Sequence, residues 1–426
     1  MMVILTGMYK RLGTFRKFKA LAISILITIP CHAQKIATLK VNLNSETQGL
    51  DIPVHINLDP ITHLPDSALS LVEIQGKKRV PVIFQVEDGQ QRKLSWLVND
   101  KVKKRVYELV KDVPAQINPH RITALKENGS LTLQTGNKNL LRYQYKTLYP
   151  SAGIDTVFKR SAFIHPLWSP HGQVLTRIQP PDHYHHYGLW NPWTHVLYEG
   201  DTVDFWNLSG KQGTVRFTDF ISITTGNVFG EYQALQEHVV FGKMGHEKVA
   251  LQEVQTVRVF VPHKNADYYI ADITVQLNCP TSPVRLLEYR YGGLGWRATG
   301  QWTKDNSSVL SSEGKTRKDA DGSKARWCIV QGTVDGENAG AVMMSYPANY
   351  NHPEPLRIWP ENMYNRGDMF ANFATTKDTD WLLEPGKNYV LRYRFIVFNG
   401  NFPKEKAESA WQYFAMPPTV TVIKNR

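Results

Sequence analysis

Between His165 and Gly210 the sequence reads HPLWSPHGQVLTRIQPPDHYHHYGLWNPWTHVLYEGDTVDFWNLSG. Six of the 14 histidines fall here, His165, His171, His183, His185, His186 and His195, together with Trp168, Trp190, Trp193 and Trp206. Imidazoles move protons near neutral pH and ligate metals. Indoles offer flat apolar area on which a sugar ring can stack, with an N–H to spare. An extended Asp182–His186 would put His183 and His185 on one face and Asp182, Tyr184 and His186 on the other. Asp182 could then orient His186 or cap the turn begun by Pro180-Pro181. Gly188 permits a bend or close approach of a ligand.

This pattern assigns His185 or His186 as general acid or base, with His183 as the third candidate, because a group titrating near 7 serves either role. Glu288, ahead of Gly292-Gly293, is a candidate complementary carboxylate, with Glu361 and Glu354 as rivals. Trp190 and Trp193 are expected to stack the sugar, and Trp206 to be a core residue. Arg177 and Arg297 could grip a carboxylate or hydroxyls through a planar fork. Tyr187, Asp182 and His352 complete the expected binding set. The competing structural reading is packing and hydrogen bonding at a rim for the histidines, core for the tryptophans, and ion pairs for the arginines. No cofactor is expected. A divalent ion shared by the three histidines is set behind the other readings, because neighbours on opposite strand faces cannot easily reach one ion.

The elements that must position these groups read as β almost throughout. Residues 36–42, 52–58, 69–75, 80–86, 93–98, 130–135 and 140–146 alternate or are rich in β-branched residues. The runs 251–261, 268–277 and 389–398 are longer period-two strands, as in antiparallel sheets with one wet face. One helix is expected over 403–415, with Pro403 in its first turn. Residues 304–326 read as a long exposed loop or hairpin tip, and NHPEPLRIWPENMYNRGD (351–368) as a second rim loop with His352, Arg357, Trp359 and Arg366 available. The expected fold is all-β: a small N-terminal β-sandwich over 34–148, then a large antiparallel supersandwich over 149–426 with a C-terminal helix.

Composition narrows the function classes. The 426 residues include 11 Trp, 19 Tyr and 17 Phe, too aromatic for a disordered chain, and three cysteines cannot staple a chain of this length. Basic residues from Lys10 to Lys19, the apolar run 20–29 and Pro30-Cys31-His32-Ala33 read as an export leader over 1–33 cleaved after Ala33. Lipidation of Cys31 is the lesser alternative, since Thr28-Ile29-Pro30 lacks the small residue it needs. Cleavage removes five basic and no acidic residues, so the net charge falls from +12 to +7. The expected product is periplasmic or secreted, with no membrane span left and no nucleic-acid motif. An acidic glycan would suit its charge. Cys279 and Cys328 could pair, or remain two buried thiols.

The run Asp182-His183-x-His185-His186-x-Gly188-Leu189-Trp190, followed by Asp204-Phe205-Trp206, resembles the DUF6807 family, also labelled PmoA-like. Tyr289-x-Tyr291-Gly292-Gly293-Leu294-Gly295-Trp296-Arg297 and the late Pro385-Gly386 fit it too. The resemblance covers roughly 150–400. Tyr187 departs from it, since many relatives have Arg there, and any ligand-binding role of that Arg does not transfer. The family is common among bacterial polysaccharide-degrading functions, and its β-rich body resembles the galactose-mutarotase supersandwich. A methane oxygenase is not implied, because the remaining chain has no apolar run near the ~20 residues of a span. The expectation is an exported carbohydrate-active enzyme that hydrolyses, eliminates or epimerises a sugar with a histidine and a carboxylate. Its partner would be an oligosaccharide or polysaccharide fragment, acidic or neutral. The alternatives are a non-catalytic glycan-binding protein on the same fold and a histidine-ligated metal-dependent enzyme.

Overall fold

The computed structural model describes residues 34–425 apart from 44–47, 112–117, 119, 243–244 and 263–265. The expected leader and Cys31 lie outside the described residues.

Residues Gln34–Arg426 form one compact unit. Its centre is an antiparallel eight-stranded sheet, ordered 213–224, 229–241, 247–260, 268–278, 389–399, 337–345, 327–334 and 307–311. The alternation expected over 251–261 and 268–277 follows from this position. Val257 pairs with Ile273, and Val257, Val259, Ala271, Ile273, Val275 and Leu277 all point into the core. A second eight-stranded sheet runs 356–358, 370–373, 295–297, 189–190, 163–167, 138–144, 130–135 and 122–127. The two share one apolar core. Tyr143 of the second meets Tyr232 of the first at 4.7 Å between ring centroids, and the Tyr269 hydroxyl donates to the Leu140 carbonyl at 2.8 Å. The all-β sandwich class is therefore the fold.

Near the start of the described chain, a five-stranded sheet (419–424, 34–42, 104–111, 69–75, 78–82) faces a three-stranded one (51–57, 93–99, 84–87). Leu39, Val41, Ile52, Trp96 and Leu109 fill the space between them. That core continues through Phe229, Trp327 and Phe398 into the large sheet. The division expected between 148 and 149 cuts through a sheet, because strand 138–144 pairs with 163–167. The last strand, 419–424, pairs with 34–42 and so belongs to the N-terminal sheet. Only side-chain alternation is visible in a strand's sequence; its partner is not.

The helix spans Lys404–Ala415, with Pro403 as its N-cap. No helix among the described residues is long and apolar enough to cross a membrane. Cys279 and Cys328 are both free and buried. Of the two readings of the polar run 304–326, the hairpin is the observed one, since 307–311 pairs antiparallel with 327–334. It carries strand Ser307–Ser311 and buries Arg317, whose guanidinium donates to the Trp359 and Gly367 carbonyls.

Candidate functional site

Pro180-Pro181 supplies no backbone N–H, so the chain after Gln179 cannot continue as a paired strand. It folds into two successive turns, with His183 N donating to Pro180 O at 2.9 Å and His186 N to His183 O at 3.0 Å. Gln179 N donates to His186 O at 2.8 Å and closes the loop. The extended reading of 182–186 is thereby corrected, and with it the separation of the histidines. Their rings crowd together, 4.5 Å between centroids for His183 and His186, 5.2 Å for His183 and His185, and 4.9 Å for His185 and His186.

Three neighbouring strands deliver the rest. Gly188 leads into 189–190, whose partner 295–297 ends on Arg297, and Arg297 in turn pairs with Phe370. Gly188 has a φ of +60°, and a Cβ there would lie 2.4 Å from the Ile164 carbonyl oxygen. Gly188→Ala should therefore cost about 1–3 kcal/mol from the backbone conformation alone, before any clash. Chemical denaturation would show it, and a loss below half of that would mean the loop tolerates a rearranged turn.

The rings form part of a cavity of about 360 Å³, walled by Trp206, Tyr291, Trp359, Tyr364 and Phe370 and edged by Arg290 and Arg357. Beneath it the Arg297 guanidinium, fully buried, lies 4.6 Å from the Trp359 ring. It donates to Asp182 Oδ2 at 2.7 Å and approaches Asp368 Oδ2 at 3.4 Å. Arg177 contacts the same two carboxylates at 3.6 and 3.4 Å. Asp182 Oδ2 also accepts from His183 Nδ1 at 2.9 Å. Burial alone would raise the Asp182 carboxyl, but the His183 hydrogen bond and the Arg297 charge outweigh it and hold it well below the usual carboxylate range.

Burial, then the neighbouring His183 and Arg160, pushes His185 down to about 3. Burial and the adjacent histidines push His186 well below its ordinary value. Burial thus holds both rings as neutral imidazoles, each with one N–H and one lone pair, and makes them weaker bases than a free histidine.

The other expected residues scatter. Trp190 is sealed among His186, Trp206 and Phe370. Trp193 lies in the main core against Trp381, and a Cβ on Gly293 would approach its ring at 3.1 Å. Gly292-Gly293 thus makes room for a tryptophan. Neither indole can stack a ligand in this cavity. Trp206, expected in the core, is 1% exposed yet contributes to the cavity wall. Tyr187 is buried against Phe163, its hydroxyl accepting from Gln179 at 2.9 Å. Arg177 and Arg297 hold carboxylates of the protein itself. Glu288 sits on an open surface with Tyr289, Arg290 and Lys377. Glu361 is close enough to Arg317 to act on its charge and does not line the cavity. His352 is elsewhere, 3.1 Å from the Ser345 hydroxyl and stacked on Trp411.

Sequence reasoning missed Tyr364, Phe370, Tyr291 and Arg290 as wall residues, and Asp368 as support. It named Trp359 and Arg357 only as available in the second rim loop. The one signal was the aromatic and basic content of 357–370.

Fold and site together define an antiparallel β-sandwich protein with a histidine-floored, aromatic cavity. The chain belongs to the DUF6807 family, described as a family of unknown function, whose model matches residues 130–412. No curated protein matches the chain. Among solved structures, an alpha-mannosidase from Enterococcus faecalis is similar over 92% of this chain and 46% of that one, at 10% identity and a TM-score of 0.42. This chain thus spans less than half of the mannosidase's length.

Proposed function

We propose that the protein is an exported carbohydrate-active enzyme of a glycan-degradation pathway, and that its substrate is an oligosaccharide bearing a carboxylate or sulfate. The observation that carries this reading is the convergence of three imidazoles with aromatic walls and two arginines in one solvent-reachable cavity. Aromatic faces and edges suit the apolar patches of a sugar ring. Arg357, although paired to Asp321 at 2.7 Å, keeps a buried Nε without a partner. Arg290 is exposed at the same rim. Such cationic groups favour an anionic substituent over a neutral hydroxyl. The histidine cluster offers unprotonated nitrogens toward a bound sugar, able to accept a hydrogen bond or a proton in a hydrolysis, elimination or epimerisation.

A second reading, a glycan-binding protein without turnover, is favoured by one observation: no Asp or Glu is among the residues lining the cavity. A panel of neutral, uronic and sulfated oligosaccharides, scored for binding and for product, separates the two. Arg290→Ala and Tyr364→Ala sit at the exposed rim and leave the core intact. Each should weaken an acidic oligosaccharide about tenfold, the order of one lost stacking or charge-assisted contact. Unchanged affinity in both variants would remove the cavity from consideration as the sugar site. Binding without product would favour the second reading.

A further inference from the structure

We infer that His183, His185 and His186 together bind one divalent transition-metal ion of the zinc type at the floor of the cavity. The inference rests on the functional reading above and deepens it by naming the group that would meet the sugar. Each histidine offers one nitrogen, and the three nitrogens lie within 4.8 Å of one another. A tetrahedral zinc with Zn–N near 2.0–2.1 Å needs its nitrogens roughly 3.4 Å apart. Side-chain rotations of about an ångström close that difference, and the turns at 180–186 already place all three rings on one side.

The surroundings fit such a site. Three imidazoles with no thiolate or carboxylate in the set suit zinc, copper, nickel or iron(II), whereas calcium and magnesium require oxygen ligands. Three protein ligands with the remaining positions open to a cavity is the arrangement of catalytic rather than structural zinc. Asp182 accepts from His183 Nδ1 at 2.9 Å, fixing the tautomer that leaves Nε2 as the basic nitrogen. That Nε2 lies 3.3 Å from the Tyr364 hydroxyl at the rim. His186 packs against Trp190 and Phe370 at 5.2 and 5.3 Å, an apolar backing of the kind that surrounds such sites.

The charge around the cluster is only partly balanced: Arg297, Arg177 and Arg366 share Asp182 and Asp368, Arg357 is paired with Asp321, and Arg290 stands exposed at the rim. An anionic sugar substituent would offset the remaining positive charge beside the ion. The Arg297 Nη1 approach to His186 Nδ1 is 3.5 Å, the outer limit of a hydrogen bond. Whichever nitrogen His186 gives to the metal, that contact ends, and the guanidinium keeps its bond to Asp182. Held by the three imidazoles, such an ion would lower the pKa of a water in its open position and so would supply the base at neutral pH, with that water's proton lost to solvent.

The test uses the full chain, stripped with a chelator and titrated with zinc alone, read by metal analysis and calorimetry. Cobalt(II) loading supplies a visible absorption band that reports nitrogen coordination. The expected result is one ion per chain, a loss of at least about 100-fold in affinity in His185→Ala, and a loss of about 10- to 100-fold in Asp182→Asn. His195→Ala, outside the cluster, should bind as the wild type does. Circular dichroism checks that each variant is folded. If His185→Ala fails to fold, His185→Gln carries the same comparison. Substoichiometric zinc in the wild type, or unchanged affinity in the His185 variant, overturns the inference. Oligosaccharide binding measured in parallel on the stripped protein keeps the two proposals apart: sugar without metal overturns only this one, and metal without sugar overturns only the functional reading.

Discussion

Arg297→Ala should lower folding stability by about 3 kcal/mol and destroy the cavity's shape. Removing one partner of a buried ion pair leaves uncompensated charge in a poorly solvated place. Here the guanidinium is fully buried, while the Asp182 and Asp368 side chains are only 20% and 8% exposed. Arg177 and Arg366 still reach these carboxylates, which keeps the loss at the lower end of the usual 3–5 kcal/mol range. Arg297 also supports the Trp359 ring and the turn that carries the histidines, so its loss should loosen both. Arg297→Lys keeps the charge but cannot bridge two carboxylates in a plane, and an intermediate stability is expected. Denaturant titration measures this, and a loss below about 1 kcal/mol in the alanine variant would show that the pair network is redundant.

The pH dependence has a definite sign. Asp182 titrates below its ordinary value in the folded protein, so the unfolded chain binds its proton first as pH falls. Its stabilising contribution is complete above about pH 4 and is lost as pH drops toward the folded value. The gap between wild type and Arg297→Ala should therefore narrow on acidification below pH 4.

Glu354→Ala should cost about 3–4 kcal/mol without any direct effect on the cavity. Glu354 is fully buried and accepts from four groups. Asn349 donates at 2.9 Å, Thr375 at 2.6 Å and Tyr393 at 2.9 Å, with the Ser345 hydroxyl as the fourth donor. Deleting the carboxyl strands several donors in the interior, at about 1–3 kcal/mol for each that finds no new partner. A loss under about 1 kcal/mol would mean that water replaces it. Burial raises the Glu354 carboxyl above its ordinary value despite those four bonds. Its contribution is thus full below the unfolded value and fades as pH rises through the folded one. Against Glu354→Gln, which does not titrate, the wild type should gain on acidification, the opposite direction to the Arg297 comparison.

The strands were legible where a sheet has two unequal faces, as over 251–261 and 268–277. Strand 229–241 was harder, because it buries His238 and Gln236 beside Val239 and Ala234, and polar residues mask the alternation. The His238 Nε2 pairs with Glu253 Oε2 at 2.9 Å, a partner on the adjacent strand that sequence alone does not reveal. The importance of 182–186 was legible from residue type. Its geometry was not, because two prolines and a left-handed glycine turned an apparent strand into a loop. The tryptophans show the same limit. Trp193 and Trp359 differ little in local sequence, both lying beside proline, yet one fills the core and the other walls the cavity. That outcome depends on pairing among 189–190, 295–297 and 370–373, segments far apart along the chain.

The strand 419–424 completes the sheet that begins at 34–42. Synthesis proceeds at about 5–20 residues per second, so strand 34–42, paired on its other edge with 104–111, waits many seconds for this second neighbour. The amino-terminal layers cannot finish assembling until the far end of the polypeptide has emerged. Until then the outer edge of strand 34–42 carries unpaired backbone donors and acceptors, a sticky margin that only the last strand covers.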